Sequence, residues 1–404
     1  MGFQQGLSGL HAAALNLDVI GNNVANANTV GAKASRAEFA DIYANHLNGA
    51  GNNSVGIGVT VAAVAQQFTQ GDIVPTDNPL DVAIDGNGFF EVSLDGTKAY
   101  TRNGQFKLDA DGYIITTQGA RVQGYMADSN GVITPINTDL QLRVNGVSPQ
   151  ATTEAKLGLN LDAGTVAHTT AFSPDDPTSY LGIASLPVYS QQGQEHKLAT
   201  YYRKTGDNTW EVHATLDGVA FPSNPVTTLS FDTAGKLTSP TGPLSLSVPF
   251  PAAEGGPAAI EIDLADVTQH GSPFTVAENS QNGYASGDLT GFSISADGRI
   301  EARYSNGTTV TQGQLTLVNF RNPQGLSPLG GNVWAQTAES GDALTPQAPG
   351  SGNLGSLKSR ALEQSNVDLT GELVNMIMAQ RVYQANAQTI RTQDQLMQTI
   401  VNLR

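Results

Sequence analysis

The chain of 404 residues contains no cysteine. That excludes a disulfide framework, a thiolate nucleophile and zinc sites built on cysteine. Proline is missing from both ends, since all 19 lie between Pro75 and Pro349. Proline interrupts helices and collects in turns and strand edges, so the ends are free to form long helices and the middle is not. No apolar run approaches the ~18 residues of a membrane-spanning helix. The first residues lack a basic stretch, and their apolar positions are interrupted by Gln, Ser, His and Asn, so they do not read as a cleaved secretory signal. Positive charge is scarce: 20 Lys and Arg stand against 36 Asp and Glu, a formal net charge of −16. Such a surface argues against nucleic acid or an anionic membrane as a partner. The acid is concentrated in residues 36–368. Residues 1–35 carry only Asp18 and Lys33, and residues 369–404 only Glu372, Arg381, Arg391, Asp394 and Arg404. Near-neutral ends and an acidic middle suit ends buried by assembly and a middle facing water.

Recognisable catalytic chemistry is also scarce. The six histidines are scattered, with no pair at metal-binding helical spacing. There is no nucleophile-elbow motif. Gly86-Asn87-Gly88 follows a strand-like segment but lacks a third glycine and a following helix, so it reads as a turn rather than a dinucleotide fingerprint. Asp109-Ala110-Asp111-Gly112 superficially resembles a calcium loop, yet in an EF-hand frame Lys107 and Gln118 would hold the end positions. Tyr201, Tyr202 and Trp210 could line a sugar-binding face, although core packing is the plainer reading. No constellation supports an enzyme, and no metal or cofactor is expected.

What is present begins at the C-terminus. Residues 369–404 contain no proline and no glycine after Gly371 and read as one helix, a rod of roughly 54 Å at ~1.5 Å per residue. Leu369, Leu373, Met376, Gln380, Tyr383, Ala387, Ile390, Met397 and Val401, with Asp394 filling the gap after Ile390, fall on alternating four- and three-residue steps, a heptad seam. Gln and Asn replace Lys and Glu on much of the remaining surface, which suits a helix covered by other chains. The N-terminus repeats the pattern with Phe3, Leu7, Leu10, Ala14, Leu17 and Val24, Gly21 filling the gap before Val24. Gly2, Gly6 and Gly9 each weaken that helix by about 1 kcal/mol, so it needs a partner. The seams predict an antiparallel pair, with the C-terminal seam holding the first helix and the Gln/Asn faces left for other copies.

The middle reads as β. Phe90–Gly96, Phe106–Gly112 and Phe292–Gly298 share a six-residue spacing with Asp before Gly, and Phe231–Gly235 is a shorter version, all hairpin signals. Length predicts two to four domains. The expected arrangement is nested: a terminal helical domain (1–25 with 369–404), a linker region (26–70 with 346–368), a middle β domain (71–145 with 285–345) and an outer inserted β domain (146–284). Residues 238–257, rich in Pro, Gly and Ser, read as loop. The fold class is therefore multidomain, a coiled-coil-like terminal pair with hairpin-rich, sandwich- or barrel-like β domains.

Gly21-Asn22-Asn23-Val24-Ala25-Asn26, followed by Asn28-Thr29-Val30-Gly31-Ala32-Lys33, resembles the N-terminal signature of the bacterial flagellar axial rod and hook family. Ser365-Asn366-Val367-Asp368, with Met376-Ile377, Gln380-Arg381, Tyr383-Gln384-Ala385-Asn386 and Val401-Asn402-Leu403, resembles that family's C-terminal end. Leu80-Asp81-Val82-Ala83-Ile84, Arg102-Asn103-Gly104-Gln105-Phe106 and Asn282-Gly283-Tyr284 are similar to its inner segments. Ala32 departs from the pattern, which usually has an aromatic there. The length and second β domain match the hook branch, and the shorter rod branch is the alternative; a secreted β-rich adhesin is a third reading from another class. The resemblance implies an extracellular, self-polymerising subunit of a curved tube around an export channel, transmitting torque from rod to filament. It also implies distal rod and hook–filament junction proteins, a cap, a length ruler and the flagellar type III export apparatus as partners.

Overall fold

A computed structural model describes residues 2–42, 56, 58–128 and 131–402. The chain forms two compact units, one comprising residues 1–144, 291–302 and 309–404, the other residues 145–290 and 303–308.

In the first unit both chain ends are helical. Helix α1 spans Gly2–Ala25 and helix α2 spans Leu369–Asn402. Between α1 and the body of the unit lie strands β1 (Ser35–Ile42) and β2 (Gly58–Gln66), paired antiparallel with Ser35 opposite Gln66. The expected linker thus contains a two-stranded sheet, although residues 43–55 and 57 of it lie outside the described residues. Its returning half is also structured: Ser356–Ser359 pairs with Val82–Asp85, and Ala361–Glu363 with Ile73–Pro75. These short strands were hidden because three or four residues carry too little periodicity to register.

The main sheet of this unit runs antiparallel through Thr309–Leu315, Arg121–Ala127, Phe89–Leu94, Thr97–Thr101, Val333–Ala335 and Ser327–Gly330. Successive strand residues point to opposite faces, and here both faces are covered. Phe90 packs edge-to-face on Phe106, while its neighbour Phe89 joins Phe68, Phe320 and Trp334 on the other side. Burial of each such ring contributes about 1.5–3 kcal/mol. The Asp-Gly signals form turns. Asp95 and Gly96 have φ of 50° and 82° between the strands Phe89–Leu94 and Thr97–Thr101, so both central residues of that hairpin are left-handed.

The second unit has two sheets sharing one core. Glu154–Asp162 is central to the first sheet, parallel to Ala258–Asp263 and Thr268–His270 and antiparallel to Thr275–Gln281. The second sheet is antiparallel through Gly182–Tyr189, Glu195–Gly206, Thr209–Leu216, Thr227–Phe231 and Leu237–Ser239. Leu157, Leu159 and Leu161 from one sheet meet Leu186, Leu198 and Trp210 from the other. Trp210 is fully buried, its indole N–H donating to Gln269 Oε1 at 3.0 Å, and Tyr202 is buried with it, while Tyr201 is buried on the opposite face against Phe172 and Tyr180. These aromatics are core residues and offer no sugar-binding face.

The loop expected at 238–257 holds a strand. Leu244–Val248 pairs antiparallel with Ala258–Asp263, and Leu246, Val248 and Phe250 are buried. The alternation from Leu244 to Phe250 is strand-like, but flanking Pro and Gly masked it. Among the described residues no helix is long and apolar enough to cross a membrane, and no group of three or more His, Asp or Glu is placed to hold a metal.

Candidate assembly site

The signature residues close the two chain ends onto one point. Near the end of α1, Asn26 donates from its side chain to the Asn22 carbonyl at 3.0 Å, and the Thr29 N–H bonds the Asn26 carbonyl at 3.0 Å. Asn23 is buried and clamps the start of β1 in both directions. Its Oδ1 accepts from the Ser35 N–H at 2.9 Å and its Nδ2 donates to the Ser35 carbonyl at 2.8 Å. Gly31 follows with φ of +70°, and a Cβ there would lie 2.8 Å from the Asn103 nitrogen. Only glycine combines that backbone conformation with so close an approach.

Beyond this turn Lys33 points inward. Its ammonium lies 2.6 Å from Glu363 Oε1 and donates to the Thr69 carbonyl at 2.7 Å. The other oxygen of Glu363 accepts from Arg102 at 3.2 Å, and Oε1 also accepts from the Gly71 N–H at 2.9 Å. Neither the Lys33 nor the Glu363 side chain is exposed. Burial pushes Lys33 below the usual lysine range, with Arg102 adding to the shift and Glu363 opposing it. One carboxylate thus receives donors from three separate parts of the chain. Removing one partner of such a buried pair costs about 3–5 kcal/mol.

Asn366 completes the junction. Its Oδ1 accepts from the Ala34 N–H at 2.8 Å, and its Nδ2 donates to the Gln67 carbonyl at 2.7 Å and to Thr69 Oγ1 at 2.7 Å. Ser365 Oγ accepts from the Val367 N–H at 3.3 Å. Asp368 then starts α2 as its N-cap, accepting the Thr370 N–H at 3.0 Å. Of the remaining signature residues, Ala25 is exposed on the last turn of α1.

The two helices are antiparallel, but their contact follows the expected seam only in part. Gly6 faces Ile390 and Gly9 faces Asn386, where added Cβ atoms would sit 3.0 Å and 2.9 Å from the opposing side chains. Ala12, Ala13 and Ala379 are also buried. Small residues let the backbones approach, so glycines that weaken α1 in isolation serve its packing. The predicted N-terminal set is mostly outside this contact: Phe3 and Leu7 are exposed, and Leu10, Ala14, Leu17 and Val24 are half-buried. On α2 only Met376, Ala387 and Ile390 of the set are half-buried, whereas Leu369, Leu373, Gln380, Tyr383 and Met397 are exposed. The side chain of Val401 lies outside the described residues. The reading of the seam as the grip on α1 is therefore corrected in part: Ile390 meets α1, while Leu369, Leu373, Gln380, Tyr383 and Met397 do not lie in the contact. The inward line is rotated by about one position, because two glycines accept a closer neighbour than a leucine ridge would.

That rotation leaves apolar side chains uncovered. Val374, Ile377, Met378 and Val382 are each a little over 50% exposed, and Met397 is 61% exposed. A groove of ≈ 650 Å³ lies between α1, β1 and α2, lined by Ala13, Ile20, Phe39, Met378 and Val382 among others. Contiguous apolar surface of this kind marks an interaction site. Sequence reasoning missed Glu363 and the contact role of Gly6 and Gly9. Nothing local singles out Glu363, which follows Ala361-Leu362 and precedes the polar Gln364-Ser365.

Known proteins resemble this chain along its whole length. Four family models match: a flagella basal body rod protein model at residues 3–33, a flagellar hook protein FlgE/F/G D1 domain at 83–154, a flagellar basal body protein FlaE D2 domain at 160–284, and a flagellar basal body rod FlgEFG protein C-terminal model at 358–403. The flagellar hook protein FlgE of Escherichia coli is 42% identical over 419 residues, covering 100% of each chain. That of Rhizobium meliloti is 34% identical over 412 residues, covering 99% of this chain and 98% of the relative. The crystal structure of Helicobacter pylori flagellar hook protein FlgE2 shares the fold at a TM-score of 0.56 with 15% identity, covering 72% of this chain and all of that one. With the N-terminal signature, the two β segments and the C-terminal helix all matched in order, this chain belongs to the flagellar hook protein FlgE family.

Proposed function

We propose that this chain is the structural subunit of a bacterial flagellar hook, and that its terminal helices carry the contacts between subunits. It polymerises with copies of itself outside the cell, between rod and filament proteins. The observation that carries the assembly reading is the uncovered apolar face of α2, beside a groove that α1 and β1 leave open. A monomer that left these residues in water would forgo roughly 25 cal/mol for every Å² that a neighbour could cover. The role needs no catalytic residue.

The same reading assigns Phe3, Leu7, Leu10, Ala14, Leu17, Val24, Leu369, Leu373, Met376, Gln380, Tyr383, Ala387, Ile390, Met397 and Val401 to assembly, chiefly through contacts with other copies. Asn22, Asn23, Ala25, Asn26, Thr29, Gly31, Lys33, Ser365, Asn366, Val367 and Asp368 set the direction in which the helices leave the β body. The nested division into helical ends, linkers, β domain and insert follows the same logic: the ends make the polymer and the insert modulates its shape. A rod subunit is the second reading, and two matched models carry rod descriptions. The D2 match at 160–284 and the full-length hook relatives favour the hook.

Electron microscopy of the purified full chain, beside a form ending at residue 368, tests this. Short curved tubes from the full chain and none from the shortened one are expected. Tubes from both would remove the terminal helices from the role assigned to them.

A further inference from the structure

The second unit contains an imidazole held at both ends. His196, in the strand Glu195–Gly206, has Nδ1 2.7 Å from Asp217 Oδ2 and Nε2 2.6 Å from Glu254 Oε2. Asp217 sits in the turn after Thr209–Leu216, and Glu254 ends a single 3-10 turn, Ala252–Glu254. Three segments distant in sequence therefore meet at one ring, whose side chain is 11% exposed. The Phe250 ring lies against it with centroids 5.4 Å apart.

The geometry constrains protonation. An ionised carboxylate only accepts hydrogen bonds, and a neutral imidazole has one N–H and one lone pair. Both contacts are satisfied together only when both nitrogens carry hydrogen, which is the imidazolium form. Neutral histidine would turn a lone pair toward one carboxylate. We propose that His196, Asp217 and Glu254 form an acid-closed clasp that pins the Ala252–Glu254 turn to the sheet, and that the turn is released when His196 loses its proton.

The two arms are unequal. Asp217 is also held by the Lys197 N–H at 2.8 Å, and its own N–H donates to the Lys197 carbonyl at 3.0 Å. The Glu254 carboxylate has no second hydrogen-bond partner among the described residues. Glu254 is therefore the arm that opens. Behind it, the turn is otherwise tied by Gln192 Nε2 donating to the Ala253 carbonyl at 2.6 Å. The charged groups facing the ring are the two carboxylates. Lys197 and Glu195, its neighbours on the strand, alternate to the opposite face, and Glu195 faces the Tyr189 hydroxyl at 3.4 Å.

The direction of titration agrees. Burial alone would lower His196, but its bonds to Asp217 and Glu254 together hold it above the usual histidine range. A base raised in the folded state stabilises that state fully below its unfolded pKa, about 6.5, and loses the contribution as pH rises through the folded value. Asp217 is held below the carboxylate range: burial opposes this, but the Lys197 N–H and His196 prevail. Its contribution is lost only as pH falls below about 4. The clasp is closed between those limits and opens on the alkaline side. This inference stands apart from the hook reading, since it concerns the second unit alone.

Amide hydrogen exchange of the full chain, corrected for intrinsic rates, tests it across pH 6 to 9. The Glu254 and Gly256 N–H groups, both bonded to the Pro251 carbonyl, report the turn. The expected result is a clear loss of protection of both amides as pH rises from 6 to 9, in the direction set by deprotonation of His196. His196→Gln should show the weaker protection at every pH. Glu254→Gln should stay protected at pH 9, because an amide can donate to the imidazole lone pair. Equal protection at pH 6 and 9 in the parent, or the same pH dependence in His196→Gln, would overturn the clasp.

Discussion

Lys33 Nζ lies 2.6 Å from Glu363 Oε1, across 330 positions of sequence and with both side chains buried. This contact ties the segment leaving α1 to the segment entering α2. The first and last parts of the chain therefore take their directions from a shared carboxylate. Glu363→Ala would leave the Lys33 and Arg102 cations buried without it, at a cost of about 3–5 kcal/mol. Urea unfolding followed by signals from the first unit should show that loss, with the second unit's transition unmoved. A change below about 1 kcal/mol, the scale of an exposed pair, would mean the junction is held by Asn366 and backbone bonds instead.

Gly6 and Gly9 set how closely α1 and α2 approach, facing Ile390 and Asn386. Two effects oppose each other in a substitution. Replacing glycine raises helix propensity by up to about 1 kcal/mol, while a bulky side chain forces the helices apart at about 1–3 kcal/mol. Gly9→Leu should be net destabilising for the pair, and Gly9→Ala close to neutral because the Asn386 side chain can turn aside. Circular dichroism of α1 helicity on heating separates the two. Gly9→Leu melting together with the parent would place the contact elsewhere.

The terminal helices were legible because long proline-free segments with heptad steps have few alternative structures. The hairpins at Asp95-Gly96 and near Gly112 and Gly298 were legible because turn chemistry is local. What could not be read was which side of each helix faces inward. The heptad named a line of large apolar residues, yet the closest approach runs one position aside, along Gly6, Gly9 and Ala379. Burial inside one chain and burial between chains leave the same apolar pattern in a sequence. Glu363 was invisible for another reason: its partners Lys33, Gly71 and Arg102 are brought together only by the fold. The strand Leu244–Val248 was masked by composition, since flanking Pro and Gly outweighed a five-residue alternation.

His213 should give the second unit an acid-side weakness. Its ring stacks on Phe172 with centroids 4.0 Å apart, and neither ring nitrogen has a hydrogen-bond partner among the described residues. Glu211 Oε2 at 3.5 Å is too far to serve as a good acceptor. Burial lowers His213; Glu211 opposes the shift and Arg203 adds to it. A base lowered in the folded state is fully accommodated above its unfolded pKa. The folded state then loses stability as pH falls below about 6.5 and the unfolded chain takes up the proton first. His213→Leu should flatten that part of the profile, measured as the second unit's denaturation midpoint between pH 7 and 5. An unchanged slope would show that other groups control the acid response.

Met378 and Ile377 separate folding from assembly. Both are 52–53% exposed on α2, so a charge there remains solvated in the monomer, and a surface substitution of this kind changes stability by about 0.5 kcal/mol or less. In a polymer that covers the same face, the charge would be buried without a partner, at several kcal/mol for each subunit contact. Since every subunit repeats the defect, a modest penalty per contact is enough to raise the critical concentration above working levels. Ile377→Glu and Met378→Glu should therefore match the parent in thermal melting yet fail to form tubes by electron microscopy and sedimentation. Thr389→Glu, on the same helix at an exposed polar position, controls for added charge alone. If Ile377→Glu assembles as readily as the parent, the exposed apolar line is not where subunits meet, and the groove beside Ile20 and Phe39 becomes the surface to alter next.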